Sequence, residues 1–159
     1  MPNPAELEAA FWKALAADKT VFLSCDGAPP RPMTASPDGD SAPIWFFTAT
    51  DTDLGRALAG GPRPGILTFA AKGHDLWASA SGHLIIDNDP AVIERLWNPF
   101  VAAWYSGKDD PKLCLVRYDA TEAQVWEDGS SLVAGIKMLM GSDPKEDFQD
   151  KTAKVDLAD

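Results

Sequence analysis

Arg31-Pro32-Met33-Thr34, followed ten residues later by Ile44-Trp45-Phe46-Phe47-Thr48, is the stretch that decides the fold. Two neighbouring strand candidates here mix a cation and hydroxyls with apolar residues. A surface hairpin alternates polar and apolar residues, and a plain core strand neither begins with Arg-Pro nor ends in Phe-Thr. The pattern predicts strands that wall a site for a flat, aromatic, anionic ligand.

Working outward, turn signals punctuate the flanks. Residues 20–24, Thr-Val-Phe-Leu-Ser, form a β-rich run that Asp26-Gly27 and Pro29-Pro30 end, and Pro37-Asp38-Gly39 supplies the next turn. A three-strand meander is expected. Before it, Asn3-Pro4-Ala5-Glu6 combines an N-cap, a proline at the first helical position and an early acid, and Leu7, Ala10, Phe11, Ala14 and Leu15 recur at helical spacing. One amphipathic helix therefore opens the domain.

After Thr48, residues 51–58 predict a short helix that Gly60-Gly61-Pro62 stops. Strands follow over 65–71 and 76–87, joined at Lys72-Gly73; small residues at 78–82 in the second allow close approach of a backbone or a flat ligand. Asp89-Pro90 opens a helix through Val92, Ile93, Leu96 and Trp97, and strands at 113–118 and 123–127 precede an apolar helix near 132–139 closed by Gly141. Residues 142–159 hold six acids and three lysines and predict a loosely held acidic tail. Together these elements predict an α+β fold: a small, mainly antiparallel barrel of about seven strands with helices at its start, middle and end.

The bulk composition sets limits on partners. A chain of 159 residues, 45% hydrophobic with six Trp and seven Phe, can bury one sizeable core. A net charge of -10 argues against nucleic acid, which demands clustered Lys and Arg, so an anionic ligand needs a local cationic pocket. No apolar run is long enough for a membrane, and MPNPAELEAAFW carries acids where a signal peptide carries bases, so the cytoplasm is expected. Cys25 and Cys114 are isolated and are expected to be reduced structural thiols.

Chemistry-bearing residues concentrate in the first half. Arg31, Arg56, Arg63, Lys72 and His74 could hold a phosphate monoester together with the hydroxyls of Thr48, Thr50 and Thr52, which lie where a strand becomes a helix. A metal site at His74, Asp75 and His83 is disfavoured, because a separation of nine on one strand puts the two rings on opposite faces. GxSxG, GxGxxG after a strand and GxxxxGK[ST] are all absent, which excludes the usual hydrolase elbow, the Rossmann fingerprint and the P-loop. Trp104-Tyr105-Ser106-Gly107 falls in an expected loop and is a candidate lid or dimer contact.

These motifs, in order, resemble the general stress protein 26 branch of the pyridoxamine 5'-phosphate oxidase-like, FMN-binding split-barrel proteins. The resemblance runs from about residue 11 to 141 and rests on RPMT at 31–34, IWFFT at 44–48, ASASGHL at 78–84, DNDP at 87–90, LWNP at 96–99 and KDDPKL at 108–113. It implies an FMN-binding split barrel of six to seven strands over residues 1–141, followed by the tail over 142–159. It further implies a homodimer with FMN at the subunit interface. The function expected is a flavin-dependent oxidoreductase reduced by NADH, NADPH or another donor. On this resemblance Arg31 meets the phosphate or ribityl end, Met33 and Thr34 lie along the isoalloxazine, and Phe47 and Thr48 give backbone and hydroxyl contacts. Thr52-Asp53-Leu54 corresponds to the phosphate-binding turn, with Leu54 where the family usually has Lys. Lys72 and His74 are the expected replacements for that charge, Trp77 lies near the flavin edge, and Trp104 reaches in from the partner. The C-terminal Arg and His of true pyridoxamine phosphate oxidases are missing, so that activity is not expected. A non-catalytic flavin-binding or sensing protein, or a deazaflavin-binding one, is the alternative.

Overall fold

The computed structural model describes residues 3–128 and 152–158. Helix α1 (Pro4–Ala17) begins as its sequence predicts: the Asn3 side chain accepts from the Ala5 N–H at 3.0 Å, and Pro4 occupies the first turn. Its buried face, Leu7, Phe11, Trp12 and Leu15, packs on the barrel, with Phe11 edge-on to Phe69. Each such side chain contributes on the order of 2 kcal/mol by leaving water, so a charge at Phe11 or Leu15 would detach the helix.

The strands are β1 (Thr20–Cys25), β2 (Ala28–Thr34), β3 (Ser36–Pro37), β4 (Ile44–Ala49), β5 (Arg63–Ala70), β6 (Leu76–Ile86), β7 (Leu113–Glu127) and β8 (Thr152–Asp156). They form one antiparallel sheet in the order β2-β1-β5-β6-β7-β4-β3, with β8 on the free edge of β7. Strands β2 and β4 lie near opposite ends of that order yet touch, so the sheet is rolled into a barrel that stays open between them. The α+β antiparallel split barrel predicted from sequence is the observed fold.

Several local expectations differ. The three-strand meander does not form: among the described residues β2 pairs only with β1, and β4 pairs with β7 and the short β3. Pro29, Pro30 and Pro32 lack the N–H groups an interior strand must donate, which confines β2 to an edge. The separate strands expected at 113–118 and 123–127 are one, β7. Its ladder with β6 continues across a bulge at Thr121, whose hydroxyl donates to the Ser81 carbonyl at 3.1 Å. Gly82 is required there, because a Cβ would stand 2.8 Å from the Ala120 Cα and collide with the Asp119 carbonyl.

Helices α2 (Asp53–Leu58) and α3 (Pro90–Leu96) form where expected, and the sequence reading missed α4 (Pro99–Ala102). The acidic tail is not loose throughout: β8 pairs with β7 over residues 152–156 and buries Val155 and Leu157. The helix expected near 132–139 lies outside the described residues.

Most buried apolar residues share the barrel interior. Tyr118 lies there fully buried, its hydroxyl 3.0 Å from the carbonyls of both Gly65 and Ala80, which share its proton. A second cluster, Trp45, Val92, Ile93, Leu113 and Leu115, joins α3 to the outer side of β4 and β7. The outer faces of β1 and β5 leave Phe22 and Ile66 49% and 52% exposed.

Candidate functional site

The junction of β4 and α2 lies beside the opening of the barrel. Thr50 N–H donates to the Lys112 carbonyl at 2.9 Å, which sets the alternation of β4: Thr48 and Phe46 turn their backbone groups toward β7, and Phe47 turns its own away. Strand β3 reaches only Trp45 on that side. The Phe47 N–H and C=O therefore point into the gap between β4 and β2. The Phe47 ring goes elsewhere, edge-on to Trp97 at 6.3 Å under the helices, so Phe47 can serve a ligand only through its backbone.

Thr52 is the N-cap of α2. Its hydroxyl donates to the Ala49 carbonyl at 2.8 Å and accepts from Gly55 N–H at 3.1 Å. The Thr48 hydroxyl lies 2.9 Å away. A hydroxyl has one proton and two lone pairs; the Thr52 proton is spent on Ala49, so Thr48 is the donor in this pair. Both protons are thus committed within the protein.

The charged groups of this junction are already paired. Arg56 donates to the Asp51 carbonyl and to the Asp53 carboxylate, the latter at 2.8 Å, and Lys112 Nζ lies 3.3 Å from the Asp51 carboxylate. Leu54 is 3% exposed and belongs to the barrel core. Lys112 was not among the sequence candidates; only the β4–β7 register shows that it adjoins Thr50.

On β2, Arg31 stands opposite Leu23, and Met33 opposite Val21, so both belong to the inner face at the open edge. Met33 is half-buried and packs on the core, whereas Arg31 is exposed and, among the described residues, makes no ion pair or side-chain hydrogen bond. Thr34 lies opposite Thr20 on the outer side. Helix α2 contacts both β2 and β4, its Ala57 lying against Gly27 just before β2 begins.

Lys72, His74 and Trp77 are at the end of the barrel opposite the Thr48–Thr52 turn, the end toward which Met33 and Thr34 run, since Pro32 shares a ladder row with Phe22, Thr68 and Ser79. Phe46 is in register with Val116 and hence with Ile86, at the far terminus of β6 from the Lys72–His74 turn. The eleven residues of β6 separate the two ends, on the order of 30 Å of extended strand. The two cations are thus not brought to Leu54 within one protomer. His74 adopts a left-handed φ of 55° in that turn, and Lys72 lines a cleft of about 540 Å³ against α1. Trp77 shares the outer face with Trp126, its register partner. A larger cleft of about 800 Å³ between α1 and the β3–β4 connection includes none of the candidate residues.

Phe100 within α4 and Trp104 just beyond it project 85% and 84% exposed; Phe100 was not singled out by the sequence. Neighbouring Tyr105 packs on Trp97, and burial pushes its phenol up to about 12. The Asp110 carboxyl is held below its ordinary range by the N–H groups of Ser106 and Lys112. Among the described residues no three His, Cys, Asp or Glu side chains group as metal ligands, and no helix is long and apolar enough to cross a membrane.

Comparison with known proteins agrees with this architecture. The family model described as pyridoxamine 5'-phosphate oxidase like matches residues 7–147. The chain belongs to the pyridoxamine 5'-phosphate oxidase-like family. Within it, a solved structure assigned to a general stress family protein of Xanthomonas campestris pv. campestris is 56% identical, covers 82% of this chain and 93% of its own, and superposes with a TM-score of 0.76. The general stress FMN/FAD binding protein of Xanthomonas citri is 53% identical over 80% of this chain and 92% of its own, with a TM-score of 0.75. General stress protein 26 of Bacillus subtilis (strain 168) is 21% identical over 101 residues, 62% of this chain and 72% of that protein. This pyridoxamine 5'-phosphate oxidase-like chain thus falls in the general stress protein 26 branch.

Proposed function

We propose that the chain is a flavin-binding protein that takes FMN at the interface of a homodimer and acts as a flavin-dependent oxidoreductase. The likeness to the Xanthomonas citri protein, itself described as binding FMN or FAD, carries this reading. The barrel opening fits the ring: Phe47 offers an unpaired N–H and C=O to its polar edge, and Met33 offers a polarizable apolar contact to its face. When bound, the flavin supplies two-electron transfer, and the protein orients it and limits solvent. Arg31, Thr48, Thr52 and Asp53 surround the tail end in this reading.

The dimer reading is supported by Phe22 and Ile66, both about half-exposed on the outer face of β1 and β5. Trp77 and Trp126 share that face, and Trp104 projects far enough to meet a partner. In the dimer, Lys72, His74, Trp77 and Trp104 reach the flavin of the other protomer. Two unbonded thiols, Cys25 and Cys114, fit the reducing cytoplasm.

A second reading, flavin binding without turnover, is favoured by the committed hydroxyl protons: the Thr48 and Thr52 hydroxyls, among the described residues, hold no proton free for exchange. Anaerobic mixing of the FMN-loaded protein with NADH or NADPH separates the two. Bleaching of the flavin band within seconds supports the reductase; a band that persists for an hour supports the binding protein. A deazaflavin in place of FMN would show itself by its shorter-wavelength absorption.

A further inference from the structure

We infer that Trp97 is a positioning residue for the flavin: its ring braces Phe47 from the outer side of β4 and so keeps the Phe47 N–H and C=O aimed into the gap beside β2. This rests on the flavin reading above, in which those two groups meet the polar edge of the ring. The backbone of Phe47 needs a brace. On the same side of the strand Trp45 is held by its pairing with Ser36, but β3 reaches no further. No ladder fixes the Phe47 groups there, and a two-point contact to a flat ligand edge weakens steeply once either hydrogen bond tilts away from linear.

The restraint comes through side chains. The Phe47 ring meets the Trp97 ring at a centroid distance of 6.3 Å and an interplanar angle of 80°, a directional edge-to-face contact. Trp97 is itself held twice: its backbone N–H donates to the Ile93 carbonyl at 2.9 Å at the end of α3, and its ring lies 6.4 Å from that of Tyr105. Beyond Tyr105, the Asp110 carboxylate accepts from the N–H groups of Ser106 and Lys112, both at 2.9 Å, and the Lys112 carbonyl accepts from Thr50 N–H at 2.9 Å. This chain of contacts leaves β4 at Phe47 and returns to it at Thr50. The three rings pack on the cluster of Trp45, Val92, Ile93, Leu113 and Leu115, outside the barrel interior. Trp97 therefore acts on the ligand through Phe47.

Dissociation constants of FMN and riboflavin for the full-length protein, measured by quenching of flavin fluorescence, test this. Trp97→Leu keeps an apolar side chain but removes the ring face. It should weaken both ligands by the same factor, about tenfold or more, the contribution of two misaligned backbone hydrogen bonds. Trp97→Phe keeps a face for the Phe47 edge and should bind both within about threefold of the original. Val155→Ala is a buried change on β8, which pairs with the end of β7 away from Leu115, the register partner of Phe47. It should lower the urea midpoint and leave both constants unchanged. Should Trp97→Leu fail to fold, Tyr105→Leu removes the outer support of the same stack and should weaken both ligands in the same direction. Leu variants that bind as tightly as Val155→Ala, equal losses in Trp97→Leu and Trp97→Phe, or a loss for FMN alone would each overturn the inference and leave the flavin reading intact. An original protein that binds neither ligand overturns both.

Discussion

The Thr48 hydroxyl donates to the Thr52 hydroxyl at 2.9 Å, and Thr52 passes its own proton to the Ala49 carbonyl. This two-hydroxyl chain fastens the end of β4 to the start of α2. Thr52→Val removes the cap of α2 and leaves the 93%-buried Thr48 without an acceptor; the expected loss is about 1–2 kcal/mol. Thr52→Ser keeps the proton chain and should recover most of it. Urea unfolding of both variants checks this, and equal losses would show that the methyl group, not the hydroxyl, matters.

Tyr118→Phe should cost about 1–3 kcal/mol, because the buried carbonyls of Gly65 and Ala80 lose the donor they share while the ring packing is kept. Thermal unfolding at neutral pH measures it. An unchanged midpoint would mean the two carbonyls find another donor.

Much of this architecture was legible in the sequence because it depends on local signals. Asn3-Pro4 announces α1, Asp89-Pro90 announces α3, and the strand expected over 65–71 coincides with most of β5. Long-range register was not legible. Nothing local says that Lys112 adjoins Thr50, or that Lys72 is a full strand away from Leu54. The stretch Asp119-Ala120-Thr121-Glu122 resembles a turn, and only its pairing with Ser81 and Gly82 makes it a bulge inside one strand. The choice of Phe47 and Thr48 rested on resemblance; the free Phe47 backbone follows from β4 alternation and the short reach of β3.

Alkaline pH should weaken the fold through Cys114. Burial raises its thiol from an ordinary value of 9 to about 11. Below pH 9 the thiol is neutral in both states and the contribution is complete; between pH 9 and 11 the unfolded chain ionises first, and the stability is lost. The effect is of the order of 2 kcal/mol. Cys114→Ala should be less stable at neutral pH yet lose less between pH 9 and 11, as read by urea midpoints across that range. A parallel fall in both proteins would assign the alkaline loss to other groups.

His74 holds a left-handed backbone that costs a side chain about 1 kcal/mol. His74→Gly should therefore be neutral or slightly stabilising in thermal unfolding. Because the proposed dimer brings this turn to the partner's flavin, the same variant should weaken FMN binding; unchanged FMN affinity would reduce His74 to a turn residue.

Ile66→Asp tests the outer sheet face without touching the core. Sedimentation should show a dimer for the original protein and a monomer for the variant, with FMN affinity reduced at least tenfold. A variant that remains dimeric would move the interface elsewhere.

Flavin occupancy is the central claim, and the visible spectrum of the purified protein titrated with FMN tests it most directly. Saturable binding is expected, with one FMN per chain, quenched fluorescence and structured absorption near the free-flavin bands. A protein that purifies colourless, neither quenches added FMN nor riboflavin, and keeps its melting temperature in their presence would contradict it.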